Sequence, residues 1–104
     1  MIKIKVLCFL FSNAIFACFL AGETKTPAII GDNMVLQQNH QNPIWGWDNP
    51  GQSVEVLISG QSHKGKTDKD GYWKIKLNPM KASFSPKTLT IRGSSALKYT
   101  NILV

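Results

Sequence analysis

The chain of 104 residues contains only two cysteines, and both lie near its start. Cys8 and Cys18 fall within an apolar segment that we expect to be removed on export. The expected mature chain therefore contains no cysteine, which excludes both a disulfide and a thiolate nucleophile. Although an exported protein reaches an environment that permits disulfides, this one must fold on its apolar core alone.

The sequence also lacks a cluster of charge of one sign. It has 12 lysines and arginines against 6 acidic residues. Removing Lys3 and Lys5 leaves 10 basic residues against the same 6 acids, a net charge of +4. These basic residues are scattered, whereas nucleic-acid-binding proteins concentrate positive charge on one face. We therefore expect no nucleic-acid partner.

Metal-ligand patterns are scarce as well. His40 and His63 are the two histidines, and neither belongs to the short-spaced His or Cys pairs that hold zinc. Asp32 and Asn33 could offer oxygen ligands to calcium, but two such residues before a strand favour a turn. The sequence predicts no metal and no cofactor.

One long apolar run is present, at residues 6–20, and only Ser12 and Asn13 interrupt it. It follows the positive charges of Lys3 and Lys5. A basic start followed by an apolar stretch is typical of a secretory signal peptide. The run is shorter than the roughly 20 apolar residues of a membrane-spanning helix. An uncleaved anchor is the alternative.

Small residues close this segment at Ala21 and Gly22, before the chain turns polar. We predict a signal peptide at residues 1–22 and one mature domain at residues 23–104, secreted or periplasmic and free of the membrane after cleavage. Ala17 before Cys18 leaves lipidation at that cysteine as a weaker alternative.

The mature part shows the period of strands and no sustained helical period. In residues 53–59, for example, Val54, Val56 and Ile58 share one face, which indicates a sheet with one buried side. We predict an all-β domain, a small β-sandwich of jelly-roll or immunoglobulin-like type with seven or eight short strands. The predicted segments are 28–30, 34–36, 43–47, 53–59, 62–68, 71–77, 87–92 and 97–104.

Turn residues separate these strands. A Pro-Gly turn is predicted at residues 48–51, and Asp70-Gly71 predicts a hairpin between segments 62–68 and 71–77. In segment 97–104 the apolar alternation changes phase after Tyr99, which predicts a β-bulge.

Four aromatic residues, Trp45, Trp47, Tyr72 and Trp73, stand on two of the predicted strands. Trp45 and Trp47 are two apart and should share a face, whereas Tyr72 and Trp73 should lie on opposite faces. The tryptophans are expected to fill the core or a seam to another domain. A carbohydrate-binding platform is the alternative.

Several motifs resemble, in order, the N-terminal β domain of the sialate O-acetylesterase family. They are Ile30-Gly31-Asp32-Asn33-Met34-Val35-Leu36-Gln37, Pro43-Ile44-Trp45-Gly46-Trp47 with Pro50-Gly51, Asp68-Lys69-Asp70-Gly71-Tyr72-Trp73, Asn78-Pro79-Met80, Leu89-Thr90-Ile91 and Asn101-Ile102-Leu103-Val104. The resemblance extends over nearly all of the predicted mature chain.

The resemblance implies an exported esterase that removes acetyl groups from sialic acid or related sugars. In that family a catalytic SGNH-type α/β domain carries a Ser-His-Asp arrangement, and its serine motif would follow beyond Val104. We therefore expect an accessory domain or truncated fragment that packs in cis against such a catalytic domain. The alternatives are a stand-alone exported module that binds carbohydrate or protein and, less favoured, a self-sufficient enzyme.

One segment imitates the family's nucleophile motif, at Ser59-Gly60-Gln61-Ser62-His63. Adjacent residues on a strand point to opposite faces, so His63 is badly placed to serve as a base for Ser62. In register with the family, the segment matches a turn of the β domain. We predict no catalytic residue in this chain.

Overall fold

The computed structural model describes residues 22–104, so all of the predicted signal peptide except Gly22 lies outside the described residues, Cys18 included. The described part is all-β, as predicted. Within it no helix is long and apolar enough to cross a membrane. Its six strands are β1 (Pro43–Trp47), β2 (Ser53–Ile58), β3 (Gln61–Lys66), β4 (Tyr72–Lys76), β5 (Lys87–Arg92) and β6 (Ala96–Ile102).

The strands form two antiparallel sheets. The small sheet pairs β1 with β4, and the large sheet has the order β3-β2-β5-β6. The chain alternates between them, from β1 to β2 and β3, back to β4, and on to β5 and β6. The sheets approach closely where Gly65 meets Ile75, because an added Cβ at Gly65 would lie 3.0 Å from the Ile75 side chain. This arrangement is the predicted β-sandwich.

The core lies on the inner faces of both sheets. Every second residue is buried along β2 and β4, as the alternation predicted. Burying these side chains supplies the main stabilising free energy, at about 1.5–3 kcal/mol for each fully buried large one. The buried apolar residues are Ile30, Leu36, Ile44, Val54, Val56, Ile58, Trp73, Ile75, Leu77, Leu89, Ile91 and Ile102.

Two crossing segments, residues 48–52 and 67–71, lie side by side where the chain changes sheet. Asp48 N–H donates to Gly71 O at 3.0 Å, and Gly51 N–H donates to Thr67 O at 2.9 Å. The predicted turn at 48–51 is present, with Gly51 in the left-handed region at φ 82°. The predicted Asp70-Gly71 hairpin is wrong. Its turn forms, but it carries the chain from β3 in the large sheet to β4 in the small one.

The true hairpin turn in this region is Ser59-Gly60, between β2 and β3. Both residues have positive φ, 50° and 79°, as expected for the two central residues of a type I′ turn. Such a turn matches the twist of the flanking strands and fixes the pairing of Ile58 with Gln61. The signal was present in the sequence as a Ser-Gly pair after an alternating strand.

Two of the predicted short strands are absent, so residues 22–104 contain six strands and not seven or eight. Residues 28–30 form a turn, in which Ile30 N–H donates to Pro27 O at 3.0 Å. In residues 34–36 only Val35 makes a β-bridge, a parallel one to Leu103. Both segments are too closely bracketed by turns to extend a ladder.

The predicted β-bulge is confirmed in β6. Leu89 pairs with Tyr99 and Lys87 pairs with Ile102, so β6 has one residue more than β5 between these pairs. Asn101 absorbs the difference with φ 58°. Residues three positions apart on a regular strand lie on opposite faces. The extra residue cancels this offset, so Ile102, three positions after Tyr99, points into the core.

Candidate functional site

The outer side of the small sheet presents aromatic side chains together with lysines. In the β1–β4 register Trp47 lies opposite Tyr72, and Trp45 lies opposite Lys74. Trp47 is 44% exposed and Tyr72 is 37% exposed. We call this surface the aromatic face; it comprises Trp45, Trp47, Tyr72, Lys74 and Lys76.

The inward neighbours on β1 force these tryptophans outward. Ile44 is fully buried, and Gly46 sits so close to the N-terminal segment that an added Cβ would lie 1.9 Å from Lys25 O. Lys25 and Trp47 also exchange two backbone hydrogen bonds of 2.9 Å. The segment before β1 therefore runs beside this strand in a β-bridge, while Ile44 and Gly46 lie on the inner side and Trp45 and Trp47 lie on the outer side.

The expected face assignments of the aromatic residues are confirmed. Trp45 and Trp47 share the outer side, whereas Tyr72 and Trp73 are split between faces. Trp73 is 1% exposed and belongs to the core. Trp45 is half-buried against the edge of the core, and Trp47 lies outside it. Aromatic rings beside ammonium groups can pack on the apolar faces of a ligand ring while polar groups bind its hydroxyls or carboxylates.

Ser62, the serine of the imitated nucleophile motif, is bonded to an acid and not to a histidine. Its hydroxyl donates to Glu55 Oε2 at 2.7 Å on the outer side of the large sheet. His63 Nε2 lies 2.8 Å from Gln61 Oε1. The structure thus gives Ser62 and His63 different partners, as their alternation on β3 required.

The role of Gln61 was not predicted from the sequence. Its Oε1 accepts from the backbone N–H of Asn78 at 2.8 Å, and its Nε2 donates to Asn78 O at 3.2 Å. The side-chain amide therefore acts like a neighbouring strand for Asn78, which lies two residues after the end of β4. Only tertiary proximity reveals this contact, because the two residues are far apart in sequence.

A buried carboxylate, Asp48, was predicted only as part of a turn. Its Oδ2 accepts from Thr24 Oγ1 at 2.7 Å and from Ser94 N–H at 3.0 Å, and its Oδ1 accepts from Asn49 N–H at 2.7 Å and from the Ser94 hydroxyl. Burial alone would raise the pKa of Asp48. The hydrogen bonds from Ser94, Thr24 and Asn49 outweigh burial and hold the pKa below its usual value.

This network is structural in its geometry. It joins the segment before β1, the end of β1 and the β5–β6 turn at one point. An added Cβ at Gly93 would lie 2.2 Å from Asp48 Oδ2, so the turn must carry glycine there. Every oxygen of Asp48 is occupied by donors from the chain itself, which leaves the carboxylate no free position for a ligand.

The Asp32-Asn33 turn packs against the bulge of β6. Asp32 Oδ1 accepts from Thr100 N–H at 2.8 Å, and Asn101 Nδ2 donates to Asn33 Oδ1 at 2.7 Å. Asn33 has φ 68°, which favours asparagine over most residues. The pair thus serves as a turn.

Within residues 22–104 no group of three metal-ligating side chains is assembled. Of the two histidines, His40 lies with its Nδ1 2.8 Å from Gln38 O.

A second exposed apolar surface shares no residue with the aromatic face. It is a groove of about 270 Å³ whose lining is almost entirely apolar. Phe84 is fully exposed beside it and Val35 is 71% exposed. The residues lining this apolar groove are Val35, Ala82, Ser83, Phe84, Leu103 and Val104.

Comparison with solved structures finds a similar domain in a carbohydrate acetylesterase from Xanthomonas citri. The two superpose with a TM-score of 0.75 at 30% sequence identity, over 79% of this chain. The match spans 19% of the length of that enzyme. No protein-family model matches the chain, and no curated protein sequence gives a significant match. The comparison supports a carbohydrate-esterase-related domain.

Proposed function

We propose that this chain is a non-catalytic β domain of an exported carbohydrate esterase that hydrolyses acetyl esters on sialic acid or related sugars. The observation that carries the proposal is the structural match to the Xanthomonas citri carbohydrate acetylesterase, at 30% identity and TM-score 0.75. The match spans about a fifth of that enzyme, so the activity of the whole enzyme is attributed to a parent protein and not to this domain.

The geometry around Ser62 agrees with a non-catalytic role. A nucleophilic serine needs a general base within hydrogen-bond reach and a partner that orients the base. Ser62 donates to Glu55 on the exposed side of a strand, and His63 contacts Gln61. Supply of the nucleophile is therefore assigned to a separate catalytic domain of SGNH type.

The apolar groove is assigned as the contact with that catalytic domain. A fully exposed phenylalanine beside other apolar residues is costly in water and typical of an interaction surface. The groove contains hardly any polar surface, as expected for a surface from which water is excluded when two domains pack together. The role of the domain would then be to support the catalytic domain through this contact.

Extending the gene and transcript sequence past codon 104 tests the proposal. We expect an open frame that continues into a Ser-Gly-Gln-Ser-Asn-like motif and a long α/β region. The product of that frame should hydrolyse acetylated sugars, whereas the 104-residue chain should not, and Ser62→Ala should leave the rate unchanged. A stop codon directly after codon 104, with no catalytic frame nearby, would instead favour a stand-alone exported module.

Phe84→Ser tests the groove. The substitution should leave the melting temperature of the 104-residue chain nearly unchanged, because the ring is fully exposed. In the full-length product it should loosen the contact between the domains, seen as faster proteolysis between them. Thr88→Ser, on the outer side of the large sheet, is the matched control. Unchanged proteolysis in Phe84→Ser would remove the groove from the proposal.

A further inference from the structure

We propose that the aromatic face is a binding site for carbohydrate that carries carboxylate groups, separate from any catalytic site. The inference rests on the proposed function only for the class of ligand. In the proposed site, the rings of Trp47 and Tyr72 stack on the sugar, and Lys74 and Lys76 are the charged partners of its carboxylates. The esterase assignment can stand without it.

The fold does not need the rings of Trp47 and Tyr72 for its core. Trp73, one position from Tyr72, is buried and fills the interior. Trp47 and Tyr72 lie opposite each other in register and remain 44% and 37% exposed. Two large, partly exposed aromatic side chains on neighbouring strands form a continuous surface on which a sugar ring can rest.

The same face also carries positive charge. Strands β1 and β4 contain two lysines and no acidic residue. Lys74 lies opposite Trp45, and Lys76 lies opposite Pro43, on the outer side. Ammonium groups beside aromatic rings suit a ligand that combines apolar ring faces with negative charge. Carboxylated pyranose rings have both features.

The two lysines also distinguish this face from a contact surface between domains. Lysine is depleted in the buried centres of protein interfaces, because burying an ammonium group without a partner is costly. The apolar groove contains no lysine among its lining residues, whereas the aromatic face contains two. The groove therefore suits a protein neighbour, and the aromatic face suits a ligand that arrives from water.

The experiment is a titration of the 104-residue chain, expressed for export, with two sugars of equal length. Trigalacturonate is the carboxylated probe and maltotriose is the neutral one. Tryptophan emission and calorimetry report binding. We expect trigalacturonate to bind at least about fivefold more tightly than maltotriose, with an affinity that falls as salt rises. Equal affinities, or binding of neither sugar, would overturn the proposal.

Variants locate the site. Trp47→Ala should weaken trigalacturonate binding roughly three- to tenfold, and Tyr72→Ala should have a similar effect, whereas Tyr72→Phe should retain binding. Lys74→Gln should reduce both affinity and salt dependence. Leu57→Ala, on the outer side of the large sheet, is the matched control and should bind like the parent chain.

Folding of each variant is checked by the near-ultraviolet circular dichroism of buried Trp73. If Trp47→Ala loses that signal, Tyr72→Ala decides the outcome in its place. A folded variant with unchanged affinity would show that the sugar binds elsewhere and would overturn the assignment. Such a failure would leave the test of the esterase frame untouched, because that test depends on the sequence past codon 104.

Discussion

The two sheets of this domain present different chemistry to solvent, although each has buried apolar residues on its inner side. Both sheets expose lysines, and the small sheet adds the aromatic rings of Trp47 and Tyr72. The large sheet exposes a polar surface in which Glu55 pairs with Arg92 at 3.6 Å and accepts a hydrogen bond from Ser62.

Most inner residues are apolar, as a buried side requires, although β3 places Gln61, His63 and Gly65 there. The outer residues are less constrained by the core. The difference between the sheets therefore lies mainly in their outer residues.

The comparison also separates two kinds of aromatic residue within one sheet. Trp73 and Tyr72 are neighbours in sequence, yet one is buried and the other is exposed. A buried ring contributes to the free energy of unfolding, whereas an exposed one contributes little. Substitutions on either side of the small sheet should consequently have very different effects.

Trp73→Ala is expected to have the largest effect, a loss of about 3–5 kcal/mol in the free energy of unfolding, because it opens a cavity in the core. Trp47→Ala should cost less than about 1 kcal/mol. Urea denaturation of both variants measures the contrast. Comparable losses for the two would mean that the aromatic face is part of the stabilising core, and the contrast between inner and outer residues would fail.

Asp48→Asn tests whether the stability of the domain depends on the hydrogen-bond network of Asp48, which joins the end of β1 in the small sheet to the β5–β6 turn in the large sheet. The amide cannot accept all the hydrogen bonds from Thr24, Ser94 and Asn49, so the variant should lose about 1–3 kcal/mol at pH 7. The lowered pKa of Asp48 means that its carboxylate stabilises the fold above the unfolded-state pKa of about 3.9. This contribution is lost as pH falls through the lower folded-state pKa.

Thermal melts from pH 7 down to pH 2 check this prediction. The difference between Asp48→Asn and the parent chain should be greatest at pH 7 and should shrink below about pH 4. Asp70→Asn, in the exposed turn of the neighbouring crossing segment, provides the control and should stay close to the parent. A difference that is constant with pH would show that the charge of Asp48 plays no part.

Glu55→Gln should have the smallest effect, less than about 1 kcal/mol, because ion pairs near the surface contribute little. Arg92 is largely exposed, and water screens its attraction to Glu55. The small loss should vanish in 1 M salt, as determined by denaturation at two ionic strengths. A salt-insensitive loss of several kcal/mol in the free energy of unfolding would show that the outer side of the large sheet stabilises the fold as the core does, and the contrast between inner and outer residues would fail there.

Sequence patterns predicted most of the strands because alternation records which side of a strand is buried. Strands β1 and β5 match the predicted bounds, and β2 and β4 differ at their ends only. The bulge at Asn101 was also visible, as a change of phase. The short apolar segments 28–30 and 34–36 were wrongly predicted as strands, because three apolar residues fit a turn as well as a strand.

The sequence by itself determined the inner faces, the opposite placement of Tyr72 and Trp73, and the separation of Ser62 from His63, because all three follow from the two-residue period of a strand. Tertiary structure alone decided which strands pair, that the Asp70-Gly71 turn joins two sheets, and that Asp48 meets Thr24 and Ser94. Those features depend on contacts between residues distant in the chain, which no local period records.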